Sequence, residues 1–372
     1  MMALVVVYVI AFAILLVIEL GYFKLAELCG VIDKPNERSS HSTVVLRGGG
    51  ILFTAAMCIW AVYYATCGSD LEGDGGTWSG LGLVFRTMPF LIGLLMVSAI
   101  SFVDDMVGTS NKLRLFVQFM GAASLLCGLL TSCDPWMILW GWHDVFICDP
   151  LGVTLFAIVA TIACVGIMNV YNFMDGINGI TGGYSLSVLV SLLILNEYVF
   201  EREFITNSLL VFEIIAVLIF CYYNFRPKGK AKCFAGDVGS VSMAFILLYF
   251  VARLMACTWD LTWIVFFVVY GVDGCLTIVH RIMLHERLGQ AHRKHAYQIM
   301  ANELKINPVI ISCGYMILQL IIDLLMIFVV PEDMHTLYLV GTIVVLSIAY
   351  ILFMKKYYHL HAEYLASLQK KE

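Results

Sequence analysis

Charge is what this sequence has least of. Only 13% of its 372 residues are Asp, Glu, Lys or Arg, against about 25% in an ordinary soluble domain. With 61% apolar residues, that shortage excludes a water-facing exterior and leaves lipid as the solvent. The net charge of −5 argues against a nucleic-acid partner. No C-x-x-C pair occurs among the 12 cysteines, which argues against a zinc or dithiol redox site. Internal repeats are absent, and no loop has the composition of a separate soluble domain. The first apolar run, Ala3 to Leu20, has no basic residue before it and no small-residue cleavage site after it. It is therefore expected to be a span and not a removable signal peptide.

What is present is apolar sequence in runs of membrane length. About 20 such residues cross a bilayer core as a helix. Eleven runs meet this measure: 3–28, 48–67, 83–103, 113–130, 151–168, 182–196, 206–225, 238–256, 261–280, 309–330 and 336–354. The expected fold is all-α and polytopic, one transmembrane catalytic domain over 1–354 followed by a basic tail, 355–372. Most cysteines, Cys58 and Cys164 among them, fall inside these runs as small hydrophobes. Cys67, Cys133 and Cys148 fall in loops on one side, where two of them could pair.

Lysine and arginine set the orientation. The loops after odd-numbered runs, with the tail and the run end at Arg114, carry 18 of them, and the opposite side carries 2, Arg86 at a run end and Arg202. The N-terminus is expected outside and the C-terminus in the cytoplasm. The inner loops are then about 29–47, 104–112, 169–181, 226–237 and 281–308. The tail, with Tyr357, Leu360, Tyr364 and Leu368, reads either as a stop-transfer segment or as a helix along the anionic leaflet.

Polar groups crowd those inner loops, which is expensive beside lipid unless they are used. The first loop carries Asp33, Asn36, Arg38 and His41, then Arg47 and three glycines that permit close approach of a ligand or another helix. The second opens on Asp104-Asp105, adjacent acids that repel unless a cation is near. The third carries Asn169, Asn172, Asp175 and Asn178 without a basic residue; the first three recur every three residues and are expected on one helix face. In the fourth, Asn224 precedes a basic stretch, and Phe234 and Asp237 follow it. Asp237 can serve a ligand or simply cap a helix start. The fifth offers His285, His292, Arg293, Lys294 and His295, suited to a pyrophosphate and equally readable as an ordinary positive-inside loop. Asp273, inside the ninth run, needs a partner such as Arg253, Arg281 or a polar neighbour.

Together, Asp33, Asp104, Asp105, Asp175 and Asp237 can meet at one site. Oxygen donors of this kind suit Mg²⁺, with Mn²⁺ as a substitute. An anionic substrate bridged by metal, beside lipid, points to phosphoryl transfer between a soluble nucleotide and a membrane-bound acceptor. A secondary transporter is the rival of another class. Transporters, however, show repeats and midplane sites, whereas these groups gather at one surface.

Five motifs, in order, resemble those of the polyprenyl-phosphate N-acetylhexosamine-1-phosphate transferases. They are Asp33-x-Pro-Asn36-x-Arg38-x-x-His41, Asp104-Asp105, Asn169-x-x-Asn172-x-x-Asp175-Gly-x-Asn178-Gly, Phe234-x-Gly-Asp237-x-Gly-Ser240 and His292-Arg-Lys-His295. The resemblance implies attack of undecaprenyl phosphate on a UDP-sugar with release of UMP, at the cytoplasmic face of a bacterial inner membrane. It implies Asp104, Asp105 and Asp237 as catalytic residues, and Asp237, Asp175 and Asp104 as the metal set. Asn172, Asp175, Asn178, Asn224 and Phe234 would hold uridine, the ring of Phe234 stacking on uracil. His292, Arg293 and His295 would grip the pyrophosphate or sugar; Asp33, Asn36, Arg38, His41 and Asn169 complete the substrate set. A homodimer is compatible with it. The histidine loop departs from the phospho-N-acetylmuramoyl-pentapeptide transferases, which carry three histidines followed by Phe-Glu. It resembles instead the branch that starts O-antigen and other surface polysaccharides.

Overall fold

In lipid, every backbone N–H and C=O must find its partner within the chain, so apolar runs become helices. The computed structural model describes residues 2–33, 44–72, 80–132, 150–200, 203–287 and 292–369. Among them, eleven helices are long and apolar enough to cross a membrane. In chain order the spans are Met2–Cys29, Ile51–Gly68, Leu81–Val107, Asn111–Leu129, Thr154–Phe173, Ile180–Val199, Asn207–Asn224, Gly236–Thr258, Leu261–Met283, Pro308–Phe328 and Glu332–Tyr364. They follow the sequence-derived runs closely, because lipid makes apolar length the deciding term.

The eighth span is the hub. Its residues Val241, Met243, Ala244, Phe245, Ile246 and Leu247 are wholly buried, a pattern apolar all round and therefore surrounded by other helices. Without a hydrophobic drive between helices in lipid, small residues and polar links hold the bundle. Thr54, Ser98 and Ser242 form a hydroxyl chain at 2.6 and 2.7 Å that joins the second, third and eighth spans. Gly50 and Gly239 bring two backbones together: a Cβ on Gly239 would lie 2.6 Å from Cα of Gly50.

Several differences from expectation bear on function. The third helix runs on to Val107, so Asp104 and Asp105 occupy its last turn and not the loop beyond. The fifth ends at Phe173, so Asp175 lies past the helix and does not share a face with Asn169. Asn169 instead donates to Gln118 Oε1 and to the Val165 carbonyl, each at 2.8 Å. The last helix, His335–Gln369, has 35 residues, or about 52 Å at 1.5 Å per residue. That exceeds a hydrocarbon core of roughly 30 Å, so the tail continues the helix beyond the bilayer and packs on the protein. Asp273 finds its partners in His295 Nδ1 at 3.3 Å, the Ala296 N–H at 3.1 Å and the Tyr315 hydroxyl at 2.6 Å. Cys67 is a free thiol; Cys133 and Cys148 lie outside the described residues.

Two short strands, Ile32–Asp33 and Val45–Leu46, pair antiparallel at one end of the bundle. The chain from Leu46 to Gly50 then zips along residues 232–235: Phe234 N–H donates to Leu46 O at 2.8 Å, and Gly49 N–H to Phe234 O at 2.9 Å. This seam ties the loop after the first span to the start of the eighth span.

Candidate active site

The eighth helix starts without a side-chain cap of its own; Ala235 holds that position. The orphan N–H groups of a helix start need an acceptor, and Asp105 supplies it from the third span. Its Oδ1 accepts from Asp237 N–H and its Oδ2 from Val238 N–H, both at 3.0 Å. Gly236 makes room, at φ +72, where a Cβ would lie 2.5 Å from Asp105 Oδ2. The adjacent Asp104 points elsewhere. Its Oδ1 accepts from the Thr109 N–H at 2.6 Å and hydroxyl at 2.7 Å, and its Oδ2 from Arg114 at 2.6 Å.

Two arginines bind these acids into one network. Arg47 Nε lies 2.8 Å from Asp105, and its second nitrogen reaches Asp237 Oδ1 at 3.5 Å. Arg114 bonds Asp104, and its second nitrogen reaches Asp237 Oδ2 at 3.1 Å. Burial disfavours the Arg47 charge, but Asp105 and Asp237 outweigh it and hold the guanidinium more firmly protonated than usual. Neither arginine was singled out from sequence, where both look like ordinary positive-inside residues. The only signal was their spacing, each within reach of a loop acid.

Beside this network opens a cavity of about 210 Å³. Asp33, Asn172, Asp175, Asn178, Asn224, Phe234 and Asp237 line it, together with Arg47, Lys228 and Gln298. Seven residues expected from three separate loops therefore meet. Asn224 is a clamp: it accepts from the Gly179 N–H at 2.8 Å and donates to Cys233 O at 2.9 Å. Asn178 donates to Arg226 O at 2.8 Å, and Asn172 to Ser240 Oγ at 3.0 Å. Burial raises the Asp175 carboxyl to about 7, aided by Asp237 and Asp105 and opposed by the Thr181 hydroxyl, which donates at 2.6 Å.

His292, Arg293, Lys294 and His295 abut the same region without lining the cavity, whereas Gln298 of the same loop does line it. The Tyr297 hydroxyl donates to Phe173 O at 2.9 Å. Burial, with His295, Arg281 and Lys294 nearby, lowers His292 to about 3, so its imidazole stays neutral. The loop's cations are engaged away from the cavity. Lys294 pairs with Glu286; Arg293 pairs with Glu303 at 3.3 Å and lies over the Tyr364 ring. Asn36, Arg38 and His41 lie outside the described residues.

Among the described residues, no group of three or more His, Cys, Asp or Glu side chains forms a ready metal cage. Asp105 is occupied by backbone donors and Asp104 by Thr109 and Arg114, so Asp104, expected as a metal ligand, stands outside the cavity with both oxygens in use. Asp237 and Asp175 line the cavity wall, Asp237 paired there with Arg47 and Arg114. Mg²⁺ usually takes only one or two carboxylates and completes its shell with water and substrate phosphate, so an all-oxygen pair of this kind fits it.

Fold and site together define a polytopic all-α membrane protein with a charged cavity at one end of its helices. The model of the glycosyl transferase family 4 matches residues 87–255 of this chain. It is 22% identical to the "Probable undecaprenyl-phosphate N-acetylglucosaminyl 1-phosphate transferase" of Bacillus subtilis strain 168, over 80% of this chain and 77% of that protein. It is 29% identical to the undecaprenyl-phosphate alpha-N-acetylglucosaminyl 1-phosphate transferase of Yersinia pestis, over 61% of this chain and 56% of that protein. It is 28% identical to the phospho-N-acetylmuramoyl-pentapeptide-transferase of Dictyoglomus thermophilum, over 47% of this chain and 56% of that protein.

Proposed function

We propose that this protein transfers a sugar-1-phosphate from a UDP-sugar to undecaprenyl phosphate, giving undecaprenyl-diphosphate-sugar and UMP. The sugar is an N-acetylated hexosamine or a deoxy relative, and the reaction takes place at the cytoplasmic face of a bacterial inner membrane. One observation carries the reading: residues from four loops, including Asp33, Asp175, Asp237 and Gln298, share one cavity at one end of eleven spans. The names of the relatives agree with it, as does the bias of lysine and arginine toward that end.

In this reading Asp237 and Asp175 hold the divalent ion, Mg²⁺ or Mn²⁺. When bound, the ion offsets charge on the phosphate oxygens and positions them in line. Asn172 and Asn178 present amides to the nucleotide, and Phe234 offers a face to the base. An oxygen of the lipid phosphate attacks the β-phosphorus; a new P–O bond forms as the bond to UMP breaks and UMP leaves with the electron pair. The lipid phosphate is mostly dianionic at pH 7, given a second pKa near 6, so the chain need not remove its proton. Asp105 acts by holding the start of the eighth helix.

The test is direct. Purified protein with undecaprenyl phosphate and a panel of UDP-sugars should release UMP with an N-acetylhexosamine donor. Release only with UDP-N-acetylmuramoyl-pentapeptide would move the protein to the other branch, and none with any donor would refute the proposal.

A further inference from the structure

Both carboxylate oxygens of Asp237 are already taken, and by two different arginines. Arg47 approaches Oδ1 at 3.5 Å and Arg114 approaches Oδ2 at 3.1 Å. A divalent ion cannot reach these oxygens while both guanidinium groups stay. Building on the proposed function, the geometry points to an exchange at Asp237: the arriving ion displaces Arg47 and Arg114, which turn to bind the acceptor phosphate.

The anchoring of each arginine makes such an exchange affordable. Stripping a partly buried cation of its only partner is strongly destabilising. Neither arginine faces this, because each has a second acid: Asp105 at 2.8 Å for Arg47, and Asp104 at 2.6 Å for Arg114. Those acids are themselves fixed, Asp105 by two backbone donors of the eighth helix and Asp104 by Thr109. Only the contacts to Asp237 are free to change. A guanidinium carries five donors in a planar fork, so one edge keeps its aspartate while the other turns to phosphate.

The charge balance favours the same sequence. Asp104, Asp105 and Asp237 with Arg47 and Arg114 sum to −1, which repels a lipid phosphate. A divalent ion brings the cluster to +1, which attracts one. The divalent ion and the lipid phosphate therefore bind with positive coupling, and the coupling is reciprocal. Arg47 and Arg114 are positioning residues until the ion arrives and phosphate-binding residues afterwards.

Full-length protein in nanodiscs, without nucleotide, would be titrated with Mn²⁺ and followed by the electron paramagnetic resonance of the free ion. Arg114→Gln should bind Mn²⁺ about five- to tenfold more tightly than wild type, the range expected when a partly exposed ion-pair competitor is removed. Arg114→Lys, which keeps the competing charge, should stay within about twofold of wild type. Farnesyl phosphate should tighten Mn²⁺ binding by wild type and leave Arg114→Gln nearly unchanged. Asp237→Asn should lose the high-affinity site. Equal Mn²⁺ affinity in wild type and a folded Arg114→Gln, or farnesyl phosphate coupling that survives in that variant, would overturn the exchange. No Mn²⁺ binding by any of the proteins would overturn it as well. None of these measurements uses turnover, so a wild type that releases no UMP would fell the proposed function separately.

Discussion

Asp105 caps the helix on which Asp237 stands: its Oδ1 accepts the Asp237 backbone N–H at 3.0 Å from a different membrane span. The residue that holds the helix start under Asp237 is thus its neighbour in space and not in sequence. Asp105→Ala removes the acceptor for two N–H groups and one partner of Arg47. Loss of a cap is worth about 0.5–2 kcal/mol, so a clear fall in melting temperature is expected. UMP release should fall further, by roughly 100-fold or more, because displacement of about 1 Å at a reacting centre has that effect. Wild-type turnover with a lowered melting temperature would leave Asp105 a purely structural cap.

Asp237→Asn tests the acid itself. The amide is nearly isosteric, and the cap from Asp105 goes to the backbone, so the fold should survive. Transfer should be abolished even in excess Mg²⁺. EDTA should stop the wild type, with Mg²⁺ or Mn²⁺ restoring it. Metal-independent turnover would defeat the assignment of Asp237 as ligand.

The spans were legible because lipid imposes a length and a composition, and both are local properties. The cavity was legible in part for the same reason: Asn172, Asp175 and Asp237 are polar where polarity is expensive. What could not be read was direction. Asp104 and Asp105 are adjacent and identical in kind, yet one pins a loop and the other caps a distant helix. Their difference depends on helix phase at the last turn. Arg47 and Arg114 were hidden by the bias toward basic inner loops, which makes any single arginine there unremarkable. Arg293 is the opposite case: its partner Glu303 and the ring of Tyr364 come from segments whose approach no local pattern records.

Asp175 gives a pH dependence with a definite sign. Burial holds its carboxyl near 7, while the Thr181 hydroxyl, by donating to the ionised form, pulls it down. Removing that donor must raise it further. Infrared difference spectra of metal-free protein should show a protonated carboxyl band titrating near pH 7 and missing from Asp175→Asn. In Thr181→Val the midpoint should move up by about 0.5–1 unit. An unmoved or lower midpoint would contradict the role given to Thr181.

The C-terminal helix should behave as a strut for the histidine loop. Glu303 Oε1 is shared by Arg293 at 3.3 Å and His361 Nδ1 at 2.7 Å, and all three side chains are largely buried. Glu303→Ala removes the acid shared by two buried basic groups, and breaking a buried pair is destabilising by about 3–5 kcal/mol. The melting temperature should drop and turnover should fall about tenfold or more. Truncation after Met354, which removes His361 and Tyr364, should reproduce the loss of turnover. A truncated protein with full activity would show that the tail only follows the loop and does not hold it.

Glycine substitutions separate close approach from mere tolerance. Gly239 and Gly314 both lie inside membrane helices. A Cβ on Gly239 would sit 2.6 Å from Cα of Gly50 and 2.9 Å from Cβ of Ala235, whereas one on Gly314 would meet nothing within 4 Å. In Gly314→Ala the gain in helix propensity, about 0.5–1 kcal/mol in solution, meets no steric penalty, and stability should be unchanged or slightly raised. In Gly239→Ala the same gain is overwhelmed, since overpacking by a single group is destabilising by about 1–3 kcal/mol. The eighth helix must then shift away from the second, carrying Asp237 with it. Thermal unfolding should fall for Gly239→Ala alone, and its turnover should drop even at temperatures where it stays folded. Equal behaviour of the two variants would mean that the Gly50–Gly239 crossing does not set the position of the site.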